Sequence, residues 1–370
     1  MRILGALAGF ALLLTILWDA FETIILPRRV VRYYFRLTRA FYRYTWTPWA
    51  AIARRLKPGR WRESFLSYFG PLSLLFLFAL WACGLIFSFA LLQWSAGSVV
   101  RLKGVHPSFW TDLYLSGSSF FTLGLGDVVP LSTVARVITV IESGTGFGML
   151  AVVVTYLPVL YGAFSKREVN ISLMDARSGS PPTAAELLRR HARPEQVQTL
   201  VEYLHDWESW SAELMEIHLS YPVLCFFRSQ HSNQSWLAAL ATVLDTSAFL
   251  ITQARNRLQW QAQLTFAIAR HAVVDLSQVI FSPPEPLRED RFRKEDLERL
   301  WALLIAEGME LEREVDYERL WELRQMYEPY LNGMARRLML PLPPWRVPQQ
   351  SLDNWQRTAW KSGLPSKFVI

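Results

Sequence analysis

Thr122-Leu123-Gly124-Leu125-Gly126-Asp127 is the stretch on which the reading of this chain turns. Two glycines alternate with two leucines, and glycine takes left-handed backbone angles at little cost. A ribbon built that way aims successive carbonyl oxygens to one side. Thr122 adds a hydroxyl and a carbonyl at one end of the run, and Asp127 a carboxylate at the other. Rings of backbone carbonyls can replace the hydration shell of a potassium ion. A G-x-G triplet also occurs in dinucleotide-binding loops, but those follow a strand and carry a third glycine in G-x-G-x-x-G. Here Val129 stands at that third position. Taken alone, the six residues also fit a plain glycine turn between two helices.

The flanks narrow the choice. Phe109 to Phe121 reads as a helix of about 13 residues, too short for a bilayer that needs roughly 20. Ser64 to Gln93 before it lacks any charge, and Val134 to about Phe164 after it is a second apolar span. Non-helical backbone at membrane depth is tolerated only where it lines a cavity or is buried in protein. A third apolar run, Ile3 to Leu26, precedes both, and no small-x-small cleavage site follows it before Pro27. It therefore reads as a true span and not a signal peptide. Asp19 and Glu22 interrupt it three residues apart on one face. Pairing with Arg28 or Arg29 is one reading of them, and a gating role is the other.

Net charge is +7, and eleven basic residues crowd into 28–62. Between spans, that is the signature of a cytoplasmic segment. With Tyr, Trp and Leu interleaved among the arginines, it should lie on the membrane surface and touch anionic headgroups; nucleic acid is not an expected partner. Arg101, Lys103 and Pro107 then fall in an outer loop, while Lys166 and Arg167 mark the return to the cytoplasm. Cys83 and Cys225 lie in different halves, so no disulfide framework is expected.

Residues 64–165 resemble the pore-loop potassium channels of the two-span type, prokaryotic members in particular, and the loop is similar to their T-V-G-Y-G-D filter. The resemblance rests on Tyr114, Ser116, Thr122, Gly124, Gly126, Asp127, Pro130, Ala135, Arg136 and Glu142. It implies potassium bound at the carbonyls of Thr122, Leu123, Gly124, Leu125 and Gly126, with Asp127 at the outer mouth. It also implies a homotetramer, since the family's filter is a four-fold ring and this chain carries one copy. Leu123 replaces the family's Val and Leu125 its Tyr. That Tyr usually braces the filter from behind; leucine there is similar to some two-pore-domain channels. Strict selectivity is the property this departure bears on.

The last span carries the gating candidates Glu142, Gly144, Gly146, Gly148 and Pro158. The glycines read equally as a bending point or as close packing against the short helix. Pro158 should kink the inner end, bringing Tyr156, Val159 and Tyr161 near any constriction. Glu142 is costly within the membrane unless paired, protonated or facing water; a hydrogen bond to backbone behind the filter is the first expectation, gating the second.

From Ser165 the periodicity is helical. Thr183-Ala-Ala-Glu186 reads as a capping box. Val197, Leu200, Leu204, Trp207, Leu214 and Ile217 form one stripe, and Leu240, Leu244, Ser247, Ile251, Ala254, Leu258 and Ala262 another. Pro283, Pro284 and Pro286 precede a charged helical pair from about Lys294 to Leu340. Four glycines after residue 165 leave no material for a G-x-G-x-x-G regulatory domain. Glu202 and His205, with His191, His218 and His231 nearby, match half of a helical di-metal site, against which stands the plain reading of core and surface histidines.

The expectation is an all-α membrane protein: a tetrameric potassium-channel pore of two spans, a re-entrant helix and a filter, with an extra N-terminal span and a helical cytoplasmic domain. Its segments are 1–27, 28–63, 64–165, 166–340 and an irregular tail, 341–370. The expected location is a prokaryotic plasma membrane, with lipid and three further copies as partners and no cofactor besides the permeant potassium ion. No nucleophile, base and oxyanion set stands out, so an enzyme is not expected. A weakly selective cation channel and a non-conducting membrane sensor on the same scaffold are the alternatives.

Overall fold

Small residues bring the N-terminal helix hard against the next span. The computed structural model describes residues 2–26, 37–97, 100–101, 108–231, 233–286, 290–345 and 353–354. In it, α1 spans Arg2–Ile24 and α4 spans Phe69–Ser95. A Cβ on Gly9 would sit 3.0 Å from Leu91 Cβ and from the Ser88 carbonyl, and one on Gly84 would meet Ile16 Cδ1. Close backbone approach at small residues is how helices associate where lipid offers no hydrophobic gain. Gly9 near Leu91, Ile16 near Gly84 and Asp19 near Trp81 make the pair antiparallel.

Asp19 finds its described partners on other helices. Arg28 and Arg29, its expected partners, lie outside the described residues, as do Arg32, Arg36, Lys103 and Pro107. Its carboxylate accepts from the Trp81 indole N–H at 3.0 Å, the Thr38 N–H at 3.1 Å and the Thr38 hydroxyl at 2.6 Å. Neutral donors hold it, tying α1, α4 and the start of α2, Leu37–Arg55. Helix α2 runs back along α3, Arg60–Ser67, and α4. Trp49 stacks on Phe65 at 4.4 Å and Trp46 meets Phe69 edge-on at 4.8 Å. Arg43, Arg54 and Arg55 stay exposed on its other face.

Two short strands, β1 (Val100–Arg101) and β2 (Val129–Pro130), pair antiparallel around α5, Phe109–Phe120. Helix α6 then runs unbroken from Thr133 to Ser178 through Pro158, well past the expected end near Phe164. The protein is an all-α, multi-pass membrane protein: Arg2–Ile24, Arg60–Ser95 and Thr133–Ser178 are each long and apolar enough to cross a bilayer.

The chain divides into two compact units, Met1–Lys57 with Ser64–Gly162, and Pro58–Glu63 with Ala163–Ile370. The second comprises the end of α6 and α7 (Ala184–Arg190), α8 (Val197–Ser220), α9 (Trp236–Gln253), α10 (Asn256–Val279), α11 (Lys294–Ala306), α12 (Tyr317–Gln325) and α13 (Glu328–Leu338). Helix α9 is apolar enough to pass for a span, yet every residue of it is buried within this unit, against α7, α8, α10, α12 and α13. An all-round apolar helix is a core helix when its neighbours cover it.

Three sequence expectations need revision here. The stripe from Leu240 to Ala262 is not one helix: Ala254 is extended and Asn256 takes a φ of +53°, so Leu258 and Ala262 belong to α10 and the two helices bury the stripe against each other. Thr183 accepts the Glu186 N–H at 3.3 Å, but Glu186 turns to Arg189 and Arg190, so only half of the capping box forms. The charged pair from Lys294 is three helices, α11 to α13.

Candidate functional site

Helix α5 has 12 residues and is therefore about 18 Å long, short of the hydrocarbon core. It ends in a Schellman pattern: Thr122 N–H donates to the Ser119 carbonyl at 3.0 Å and Leu123 N–H to the Ser118 carbonyl at 2.8 Å. That pattern wants a left-handed residue just after the helix, and Thr122 supplies it at φ +53°. Gly124 follows at +61° and Gly126 at +75°. Every second residue from 122 to 126 is thus left-handed. Phe121 through Asp127 are exposed on the single chain.

Several contacts seat this loop. The Tyr114 hydroxyl donates to Asp127 Oδ2 at 2.8 Å, and Asp127 Oδ1 accepts from Val128 N–H at 3.0 Å. The Leu125 side chain offers no hydrogen bond, so among the described residues the side-chain tie between α5 and the loop runs through Tyr114. Below, Phe120 joins the core of Leu13, Ile16, Leu77, Trp81, Leu85 and Phe89. The Ser143 hydroxyl donates to the Ser119 carbonyl at 3.1 Å, and Gln93 Nε2 donates to the Ala135 carbonyl and Thr139 Oγ1, each at 3.1 Å. Ser143 and Gln93 carried no sequence signal, because their partners are 24 and more residues away.

The gating candidates separate on geometry. A Cβ on Gly146 would lie 2.8 Å from the Phe120 carbonyl carbon and 3.1 Å from its Cα, with the carbonyl oxygen nearer still. Gly144 and Gly148 have nothing within 4 Å of such a Cβ in the chain. Gly146 is the packing glycine. Backbone atoms cannot swing aside, so Gly146→Ala should lift the end of α5 and displace Thr122. Overpacking of this kind costs about 1–3 kcal/mol, so Gly146→Ala should lower the Tm of the purified protein while Gly144→Ala leaves it nearly unchanged.

Glu142 is fully buried, faces Ser116, and no backbone group donates to it. The expected bond to backbone behind the loop belongs to its neighbour Ser143 instead. Tyr156 is also displaced from its expected place: it is buried edge-on to Phe78 of α4 at 6.2 Å, which leaves Val159 and Tyr161 as the exposed residues near Pro158.

Residues 74–160 match the family model described as ion channel. The matched stretch takes in most of α4, all of α5, the loop and α6 as far as Leu160, and it suggests ion-channel activity. The chain is also similar to the uncharacterized membrane protein YdjJ of Bacillus subtilis (strain 168), 25% identical over 302 residues, covering 78% of this chain and 82% of that one. That similarity is far longer than the stretch matched to the channel model. No solved structure matches.

His191, His205 and His218, beyond the matched stretch, are separately engaged. His218 Nδ1 lies 2.8 Å from the Leu214 carbonyl, which makes it the N–H donor and leaves Nε2 to accept from Arg167 Nη1 at 3.2 Å. His191 stacks on Tyr203 at 6.1 Å, and His205 lies 3.7 Å from Glu208. Among the described residues no three His, Cys, Asp or Glu side chains gather as a metal site. Burial, and then the Arg167 charge, pull the His218 pKa down to about 3 against a smaller opposing pull from the Leu214 carbonyl. An unfolded histidine titrates near 6.5. Below that pH the unfolded chain takes up a proton that the folded one refuses. Stability is therefore full above about pH 6.5 and falls as pH drops toward 3, by up to about 1.4 kcal/mol per pH unit. His218→Gln should flatten this slope between pH 6.5 and 5 in thermal denaturation of the purified protein.

Proposed function

We propose that the chain forms one quarter of a potassium-selective channel, with Thr122, Leu123, Gly124, Leu125 and Gly126 supplying the carbonyl ring and Asp127 the outer mouth. The observation that carries this reading is the left-handed backbone at Thr122, Gly124 and Gly126, directly after a helix too short to span. Alternation of that kind turns carbonyls to one edge, where they substitute for ion hydration. The C-terminal end of α5 directs its negative dipole to the same place and favours a cation. One chain contributes one loop, and its exposed residues from Phe121 to Asp127 fit a surface completed by three further copies. The basic residues of 28–62 support a cytoplasmic side for that segment and the second unit at a prokaryotic plasma membrane, where the helical unit regulates conduction in this reading. Native mass of the detergent-purified protein should give four chains, and reversal potentials in planar bilayers should follow potassium.

Leu125 favours a second reading, weak selectivity, because it cannot brace the ring. Leu125→Tyr adds a hydroxyl that can accept from the indole N–H of the largely exposed Trp110 on the same or a neighbouring chain. A buried hydrogen bond contributes about 1 kcal/mol, four copies act on one ring, and tenfold in selectivity needs only about 1.4 kcal/mol. The expected result is a higher potassium to sodium permeability ratio in Leu125→Tyr. An unchanged ratio in a conducting tetramer would mean that selectivity here does not depend on bracing.

A further inference from the structure

Within the second unit, one short stretch of chain is gripped on both sides. Arg167, on the end of α6, is buried and donates from Nη1 to the Leu224 carbonyl at 2.9 Å and from Nη2 to the Phe227 carbonyl at 3.0 Å; its Nε reaches Glu168 Oε1 at 3.0 Å. Phe227 packs on Phe164 at 5.6 Å between ring centres. The next residue, Arg228, faces the other way. Its Nη1 donates to Glu63 Oε2 at 3.0 Å and to the Met339 carbonyl at 3.1 Å, and its Nη2 to the Leu338 carbonyl at 2.7 Å. Its side chain is only 9% exposed. The guanidinium thus sits on the carbonyl-rich C-terminal end of α13, where the helix dipole favours a cation, and spends its remaining donor capacity on Glu63.

Glu63 lies in the first turn of α3, one residue before the chain enters the stretch that leads into α4. Arg167 lies on the same continuous helix as the inner wall of the pore loop. We propose that the segment Leu224–Arg228 is a mechanical coupler: it ties the cytoplasmic extension of α6 to the start of α3 through Arg228 and Glu63, and so restrains α4 and α6, the helices that continue from them. Movement of the α6 extension relative to α3 strains this tie, and the tie opposes it. The coupler rests on the channel reading for its effect on conduction, but not for its existence. Arg62, whose Nε is 3.8 Å from Glu63 Oε1, is the other charged group beside the pair.

A double-mutant cycle in the full-length protein tests it. Glu63→Gln and Arg228→Gln are each read by basal potassium flux in liposomes and by hydrogen exchange of the Arg60–Ser67 amides. The coupler predicts that each single variant raises basal flux about fivefold, or ~1 kcal/mol at 1.4 kcal/mol per factor of ten, with faster exchange in α3. It further predicts that the double variant goes no further than Arg228→Gln alone, since both remove one contact. Arg228→Lys, which keeps the charge and a donor for Glu63, should recover most of the restraint. Effects that multiply in the double variant would show Arg228 acting only as a cap on α13 and would overturn the proposal, as would wild-type exchange in α3 for Glu63→Gln. If the wild-type protein carried no flux, the channel reading would fall, and the non-additivity of the exchange rates would still decide whether the tie exists.

Discussion

Gly126→Ala is expected to abolish potassium flux, by a hundredfold or more, in a tetramer that still assembles. Gly126 stands at φ +75° with open space around it in the chain, so a methyl group meets no neighbour there. The penalty is in the backbone: a left-handed L-residue costs about 1–2 kcal/mol, repeated in each copy around the ring. The residue can escape by turning right-handed, which swings its carbonyl off the edge shared with Gly124 and removes one layer of the ion's cage. Thr122 shows what makes a left-handed L-residue tolerable, since two Schellman hydrogen bonds at 2.8 and 3.0 Å bracket it. Native mass separates this outcome from misassembly: flux lost with four chains retained supports the account, and undiminished flux refutes the assignment of Gly126.

Arg324→Leu should destabilise the second unit by about 3–5 kcal/mol, as expected when one member of a buried ion pair is removed. Arg324 is wholly buried and donates from Nε to Glu328 Oε1 at 3.1 Å, from Nη2 to Asp290 Oδ1 at 2.6 Å, and from Nη1 to the Phe292 carbonyl at 3.0 Å. Glu328 is itself wholly buried, and Arg291 links it at 2.8 Å to Asp245 at 3.0 Å in the middle of α9. The Tyr327 hydroxyl closes the network on Asp245 at 2.7 Å. Two guanidiniums thus bridge the three carboxylates, Asp245, Asp290 and Glu328, that hold α9, α12, α13 and the Asp290–Phe292 stretch together. Leucine removes one charge and leaves the buried Glu328 with Arg291 as its remaining cationic partner. For a unit of this size the loss lowers Tm by roughly 6–20 °C. The exposed Arg255–Glu312 pair is the contrast: Arg255→Gln should change stability by less than about 1 kcal/mol. Equal effects of the two substitutions in a thermal melt would show that burial does not decide their worth.

These two cases mark what could be read from residue order and what could not. The loop was legible because its information is local: glycines at alternate positions, after a helix too short to span, need no distant partner to be recognised. The apolar runs that became α1, α4 and α6 were legible for the same reason. The tie between Tyr114 and Asp127, the seat of Gly146 on Phe120 and the three donors on Asp19 were not, because each depends on which helix faces which. For Asp19 a donor comes from Trp81, 62 residues on, which no local reading could name. In the second unit, Asp245, Asp290, Arg291, Arg324 and Glu328 each look like ordinary surface charge in one dimension and become a buried network only once α9 is enclosed. The break at Ala254 was hidden because no glycine or proline marks it, and an asparagine takes the left-handed angle instead.

Flux measured in liposomes under opposed potassium and sodium gradients, with the wild-type chain beside Gly126→Ala, decides whether this loop conducts and for which ion. The account predicts potassium uptake well above sodium uptake in the wild type and neither in Gly126→Ala. Equal uptake of both ions would contradict potassium selectivity, and absence of flux from a wild-type tetramer would contradict conduction through this loop altogether.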